Sequence, residues 1–242
     1  MKRFRIALIL GVLLALAYWA IPNDHATMRL RVIVTAEVDG EKVEGSSVME
    51  LTYTRISQSL MGMGGSTTLK AEALVLDLKN RGTVFVLPCK VNVDGTLSEV
   101  YEHYVMGSFG VEEPVGGMTD QGLAKLRKTQ GRVPFRYYDT YWKRSNPPLF
   151  VAFKNEADPR SIYRVDEQRL DLAFGPGVRL LGIELETTDA PLTHVLAKRL
   201  PWLDQGNNIN WARAQPGDRT PQRELPIGLV IVRETFYGNG SW

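Results

Sequence analysis

MRLRVIVTAEVDGEKVEGSSVMELTY, residues 28–53, is the stretch whose pattern decides the fold. Leu30, Val32, Val34, Ala36 and Val38 alternate with Arg29, Arg31, Thr35 and Glu37. A period of two sends successive side chains to opposite faces of an extended chain, so this is a half-buried strand. Asp39-Gly40-Glu41-Lys42 supplies a turn, after which Met49, Leu51 and Tyr53 share one face against Glu50 and Thr52. The two runs predict a β-hairpin. Gly45-Ser46-Ser47 reads either as a bulge in the second strand or as a continuation of the turn.

The chain continues in the same style. Residues 57–68, SQSLMGMGGSTT, show no periodicity and read as a loop, with Leu60, Met61 and Met63 free to fold over a core edge or touch a membrane or partner. Their glycines lack the lysine of a phosphate-binding loop and the spacing of a dinucleotide loop. Leu74, Leu76 and Leu78 alternate with Ala73, Val75 and Asp77, Lys79-Asn80-Arg81-Gly82 turns, and Thr83-Val84-Phe85-Val86-Leu87 returns as a second hairpin. With both faces apolar, residues 84–87 are expected at the centre of a sheet. Cys89, the only cysteine, follows in the same strand and reads as a small buried side chain. Residues 92–96 turn, and 100–105 form a strand or short helix containing His103. A short helix is expected over 119–128, with Asp120 near its start and cations near its end, as the helix dipole favours.

Residues 149–153, LFVAF, predict a buried strand, and Asp158-Pro159-Arg160-Ser161 a turn. Asp166 stands as N-cap of a helix over 167–174 ended by Gly175-Pro176-Gly177. A strand over 178–187 should put Leu181, Ile183 and Leu185 on one face, and a helix after Asp189 should bury Leu192, Val195, Leu196 and Leu200 before Pro201, with His194 bordering that stripe. The run YRVDEQRLDLAFGPGVRLLGIELETTDAPLTHVLAKRLPWL, residues 163–203, resembles a family of uncharacterised exported or membrane-anchored proteins of proteobacteria. The likeness lies mainly within residues 148–203; it implies a shared domain and brings no activity and no functional residues. Residues 204–224 read as a polar surface loop pinned by Trp202 and Trp211, and 226–232 as a closing strand. One domain over 28–242 follows, of α+β class, mainly antiparallel β with two or three short helices.

Upstream, residues 6–21, IALILGVLLALAYWAI, carry no charge and follow Lys2, Arg3 and Arg5. This is an export or anchoring signal that decides the compartment of the rest. Sixteen residues at about 1.5 Å each span roughly 24 Å, and a snorkelling Arg5 makes up the difference to a ~30 Å hydrocarbon core. Ala15-Leu16-Ala17 fits a signal-peptidase site, which leaves a secreted periplasmic ligand-binding domain as one reading. Tyr18 and Trp19 at the distal end, at headgroup level, favour an uncleaved transmembrane helix. Residues 1–27 are then anchor and short linker. The expected location is a bacterial inner membrane, single-pass, with the C-terminal domain in the periplasm.

Composition narrows function by exclusion. With 44% hydrophobic and 23% charged residues the chain has ordinary globular usage, and its formal charge of +2 falls to −1 without the three N-terminal cations. Nothing there attracts nucleic acid in general. No metal-ligand spacing, cofactor motif or nucleophile elbow occurs, and the three histidines are scattered. The exception to charge balance is residues 119–144, net +5, where aromatics interleave with cations. Arg132, Arg136, Tyr137, Tyr138, Tyr141, Trp142, Lys143 and Arg144 are the candidate binding residues, a mixture suited to anionic headgroups, glycans or a protein partner. The expected function is a membrane-anchored binding or scaffold domain, an accessory subunit of a membrane complex with a protein partner in the envelope. An envelope hydrolase or transferase with an unrecognised site is the alternative.

Overall fold

A computed structural model describes residues 23–55, 65–92, 96–111, 119–139, 143–204 and 233–238. The hydrophobic run with Tyr18 and Trp19, the loop over 57–64, Tyr141 and Trp142, Trp211 with the loop from 205, and the strand expected over 226–232 lie outside the described residues.

Strands β1 (Asp24–Val38) and β2 (Glu41–Arg55) form the expected hairpin, in unbroken register from Asp24 opposite Arg55 to Val38 opposite Glu41. Asp39 and Gly40 turn the chain, both with positive φ (52° and 85°), the backbone that matches strand twist in a two-residue hairpin loop. Residues 45–47 are neither bulge nor turn, because Gly45 pairs directly with Val34. Gly45 answers to packing instead. A Cβ there would lie 2.6 Å from the carbonyl oxygen of Val75, so β2 and the next sheet meet backbone to backbone.

β3 (Gly65–Lys70) pairs with β2, and β13 (Val178–Thr187) flanks β1 on its other side, with β8 (Arg132–Pro134) beyond it. The result is a five-stranded antiparallel sheet in the order β3-β2-β1-β13-β8. The part of the expected loop from 65 to 68 is therefore strand. Thr67 and Thr68 suit a pleated edge, and Leu69 turns inward to full burial. A second antiparallel sheet holds β4 (Leu74–Asp77), β5 (Thr83–Leu87), β11 (Leu149–Phe153) and β12 (Ile162–Arg164) in the order β12-β11-β5-β4. Two short ribbons pair β6 (Cys89–Val91) with β7 (Leu97–Glu99), and β9 (Tyr138–Asp139) with β10 (Arg144–Ser145). The helices are short: α1 (Tyr101–Ser108), α2 (Asp120–Leu126), α3 (Leu170–Phe174) and α4 (Leu196–Arg199). The fold is α+β and rich in antiparallel β.

The layers follow from the faces. Leu30, Val32 and Val34 of β1 and Met49 and Leu51 of β2 bury against Leu74, Leu76, Val84 and Val86, with α1, α2 and α3 closing the sides of this core. The other face of the second sheet, Phe85, Leu87 and Val151, buries against Leu196, Leu200, Trp202, Leu203 and Phe236. The rings of Phe85 and Trp202 both meet Phe153 edge-on, at 5.4 and 5.6 Å. The outer face of the first sheet is tiled with ion pairs: Arg29 and Lys70 share Glu50, Arg31 holds Glu186, Arg132 holds Glu184 and Arg179 holds Glu37. Ile33 lies on this face yet is buried among those long chains.

Three details correct the sequence reading. The register of β1 against β13 slips between Thr35, opposite Gly182, and Ala36, opposite Leu180. Leu181 is the extra residue and points outward, so Leu180 packs against the core where Leu181 was expected beside Ile183 and Leu185. The helix expected from 167 begins only at Leu170, because Asp166 spends its carboxylate on the Gln168 N–H in a preceding turn. The helix expected after Asp189 shrinks to α4, and Val195 is exposed. Its leading residues have other partners: Thr193 N–H donates to the Val48 carbonyl oxygen, and the Val48 N–H donates to Thr193 Oγ1.

Glu72 explains where α4 starts. Its carboxylate is buried, 5% exposed, and accepts from the Val195 N–H (2.7 Å) and the Leu196 N–H (3.2 Å). A side chain from a distant strand junction thus caps this helix. On either side of Glu72, the Ala73 N–H donates to the Phe236 carbonyl oxygen and the Gly238 N–H to that of Ala71, both at 2.8 Å. Burial pushes the Glu72 pKa above its ordinary 4.5, outweighing the two N–H donors and the nearby His194.

Gly45→Ala is expected to cost about 1–3 kcal/mol through overpacking against Val75, whereas Gly107→Ala, on an exposed turn of α1 with open space around it, should gain about 0.5–1 kcal/mol; urea unfolding midpoints separate the two. A raised folded pKa means that the Glu72 contribution is fully present below about pH 4.5 and lost as the pH rises through the raised value. Stability of the wild type relative to Glu72→Gln should therefore fall from pH 4.5 towards neutrality; parallel pH profiles would contradict this.

Candidate binding surface

The basic, aromatic segment is threaded between the first core and solvent. The Phe135 N–H donates to the Ile183 carbonyl oxygen at the end of β8, and its ring enters the core 5.2 Å from Tyr101 and 5.6 Å from Tyr137. The Arg136 N–H donates to Ser108 Oγ, whose hydroxyl donates to the Tyr104 carbonyl oxygen, so the last turn of α1 fixes the backbone here. The chain then makes the β9–β10 ribbon, with Tyr138 opposite Ser145, Asp139 opposite Arg144, and Lys143 at φ 50° in the connection.

A buried polar cluster supports the ribbon from beneath. The Asn146 N–H donates to the Tyr137 carbonyl oxygen, and its Nδ2 donates to the Tyr104 hydroxyl at 2.6 Å. The Lys90 ammonium, also buried, lies 3.5 Å from the same hydroxyl and 5.2 Å from the centre of the Tyr104 ring. Polar groups at this depth are tolerated because they are paired, and their pairing fixes the base of the ribbon.

The predicted binding residues separate into three environments. Arg132 sits on the outer face of the large sheet and is held by Glu184 at 2.5 Å. Tyr137 is half-buried, and its phenol pKa is raised by burial and by the carboxylate of Glu167. Arg136, Tyr138 and Lys143 face solvent, with Tyr138 56% exposed. Neither Arg136 nor Lys143 has an ion-pair partner among the described residues. Arg144 contributes its backbone to β10, and Tyr141 and Trp142 lie outside the described residues.

Beside the ribbon opens a cleft of about 70 Å³, lined by Ser145, Asn146, Pro147, Arg164 and Glu167 among others. That volume holds a couple of waters or one side chain, well below the ~300 Å³ at which small-molecule pockets begin. Its polar residues come from separate elements and carry no spacing signal, so the sequence did not mark them. What the arrangement offers is an exposed ring on a ribbon whose chain also carries two exposed cations, next to a polar notch of side-chain size. Such features recognise a protein surface by anchoring one or two side chains.

Other chemistry finds little purchase among the described residues. No group of three or more His, Cys, Asp and Glu side chains could hold a metal ion there. The Cys89 thiol is pushed up to about 12 by burial and by Glu99, so it stays protonated and unreactive at neutral pH. Among the described residues no helix is long and apolar enough to cross a membrane.

Surface and support should respond differently to mutation. Tyr138→Ala is expected to change stability by no more than about 0.5 kcal/mol, while Tyr104→Phe, which deprives the buried Asn146 amide of its acceptor, should cost about 1–3 kcal/mol. Thermal denaturation of the two variants checks both. Comparison with known proteins gives no further lead: no family model matches the chain, and no curated protein or solved structure matches it.

Proposed function

We propose that the chain is a membrane-anchored, extracytoplasmic binding or scaffold domain, an accessory subunit of a membrane complex in the bacterial envelope. The observation that carries the reading is the exposed Tyr138 ring on a ribbon that also exposes Arg136 and Lys143, with a notch fit for one side chain at Ser145 and Asn146. The hydrophobic run over 6–21 with its aromatic end, and the resemblance of residues 163–203 to exported or anchored proteobacterial proteins, support the location in the inner membrane with the domain in the periplasm. A binding role also accords with the outer sheet face, whose charges are already paired with one another and offer little to a charged partner.

The test is recovery of partners from solubilised membranes on the tagged full chain. Tyr138→Ala combined with Arg136→Glu and Lys143→Glu should lower retention of specific partners by about tenfold or more, as loss of an interface hot spot does. Lys154→Glu, an exposed change elsewhere, should leave retention intact. Equal recovery on all three proteins would overturn a role for the ribbon in partner binding.

A further inference from the structure

The start of β1 fixes which end of the domain meets the bilayer, and this inference rests on the anchor reading above. Only Pro22 and Asn23 separate the hydrophobic run, ending at Ile21, from Asp24, the first residue of β1. At no more than about 3.6 Å per residue, three steps of chain reach roughly 11 Å, comparable with the ~8 Å over which exposed charges are felt at physiological salt. Whatever surrounds Asp24 therefore sits within electrostatic range of the headgroups.

What surrounds it is α2. The Arg127 guanidinium donates to the Asp24 carboxylate (2.5 Å) and to the His25 carbonyl oxygen (2.7 Å), and Arg55, paired with Asp24 across the ladder, bridges to Asp120 at 3.0 Å. The helix is thereby clamped across this end of the sheet at both of its own ends. Leu123 and Leu126 point inward, and Gln121, Ala124, Lys125 and Lys128 form an exposed stripe at helical spacing. Asp24 and Asp120 are taken up by Arg127 and Arg55, so Lys125 and Lys128 stand without an acidic partner among the described residues. We propose that this face of α2 docks on the anionic headgroups of the same bilayer that holds the anchor, setting the domain upright with its hairpin tip pointing away.

The full chain tests this after reconstitution into vesicles of phosphatidylcholine alone or mixed equally with phosphatidylglycerol. A fluorophore on Ala124→Cys reports proximity to a headgroup-labelled quencher lipid, and one on Asn80→Cys, beside the hairpin tip, serves as reference; Cys89 is buried and takes no label. In anionic vesicles the label at 124 should be quenched and that at 80 should not. Neutral lipid should reverse the quenching, and in Lys125→Gln/Lys128→Gln the docked-to-free ratio should fall by about fivefold per lysine. A chain that floats with anionic vesicles while the label at 124 stays bright, or whose quenching ignores both the lipid charge and the lysines, overturns the docking and leaves the anchor standing. A chain that does not float with vesicles at all removes the anchor and the docking together.

Discussion

Strand β5 has apolar side chains on both faces, and covering both is the constraint around which the molecule is built. Val84 and Val86 face one core, Phe85 and Leu87 the other. A sheet wet on neither side needs two lids. One lid is the long β1–β2 hairpin with its neighbours, which brings a whole face of alternating aliphatics. The other is made of pieces distant in sequence, α4 with the turn after it and the short segment ending at Phe236 and Tyr237. These pieces are too small to bury themselves, which is why polar ties hold them: Arg199 to Thr83 and Glu156, the Trp202 indole N–H to the Glu156 carbonyl oxygen, and the Glu72 carboxylate to α4.

Glu72 and the Tyr104–Asn146–Lys90 cluster show the same logic at two depths. In each, a polar group is buried to satisfy backbone or side-chain donors that the surrounding apolar packing would otherwise strand. Glu72 joins the strand junction, the lid and the C-terminal segment; the Tyr104 cluster joins α1, β6 and the ribbon carrying Tyr138. The candidate surface and the fold meet at the second cluster, since Asn146, held by the buried Tyr104 hydroxyl, ties the backbone at Tyr137 just before the ribbon.

The elements whose side chains obey one period were legible. β1, β2, β4, β5 and β11 announce themselves through alternation or through unbroken apolar runs, and the turn at Asp39-Gly40 through its residue types. What the pattern hides are decisions made by distant partners. Nothing near Leu181 says that a register slip will turn it outward. Nothing between Asp189 and Val195 says that Val48 and Glu72 will claim backbone groups a helix would have used. Gly45 looks like a bulge until the Val75 carbonyl is seen against it. At the candidate surface, the cations and rings were visible in composition, but their division into core (Phe135), half-buried flank (Tyr137) and exposed face (Tyr138) depends on how α1 and β13 grip the backbone. The notch at Asn146 and Arg164 had no linear signature.

The placement of β1 also has a mechanical meaning. The strand enters the domain at its own first residue, lies in the interior of the sheet, and is bonded along most of its length to β2 on one side and β13 on the other. A pull on the chain at Asn23 acts along the strand axis, so the hydrogen bonds of both ladders share the load in shear. Peeling, in which bonds break one after another, is the geometry of an edge strand pulled sideways. A domain loaded this way resists extraction by its leading end with the whole of its largest sheet.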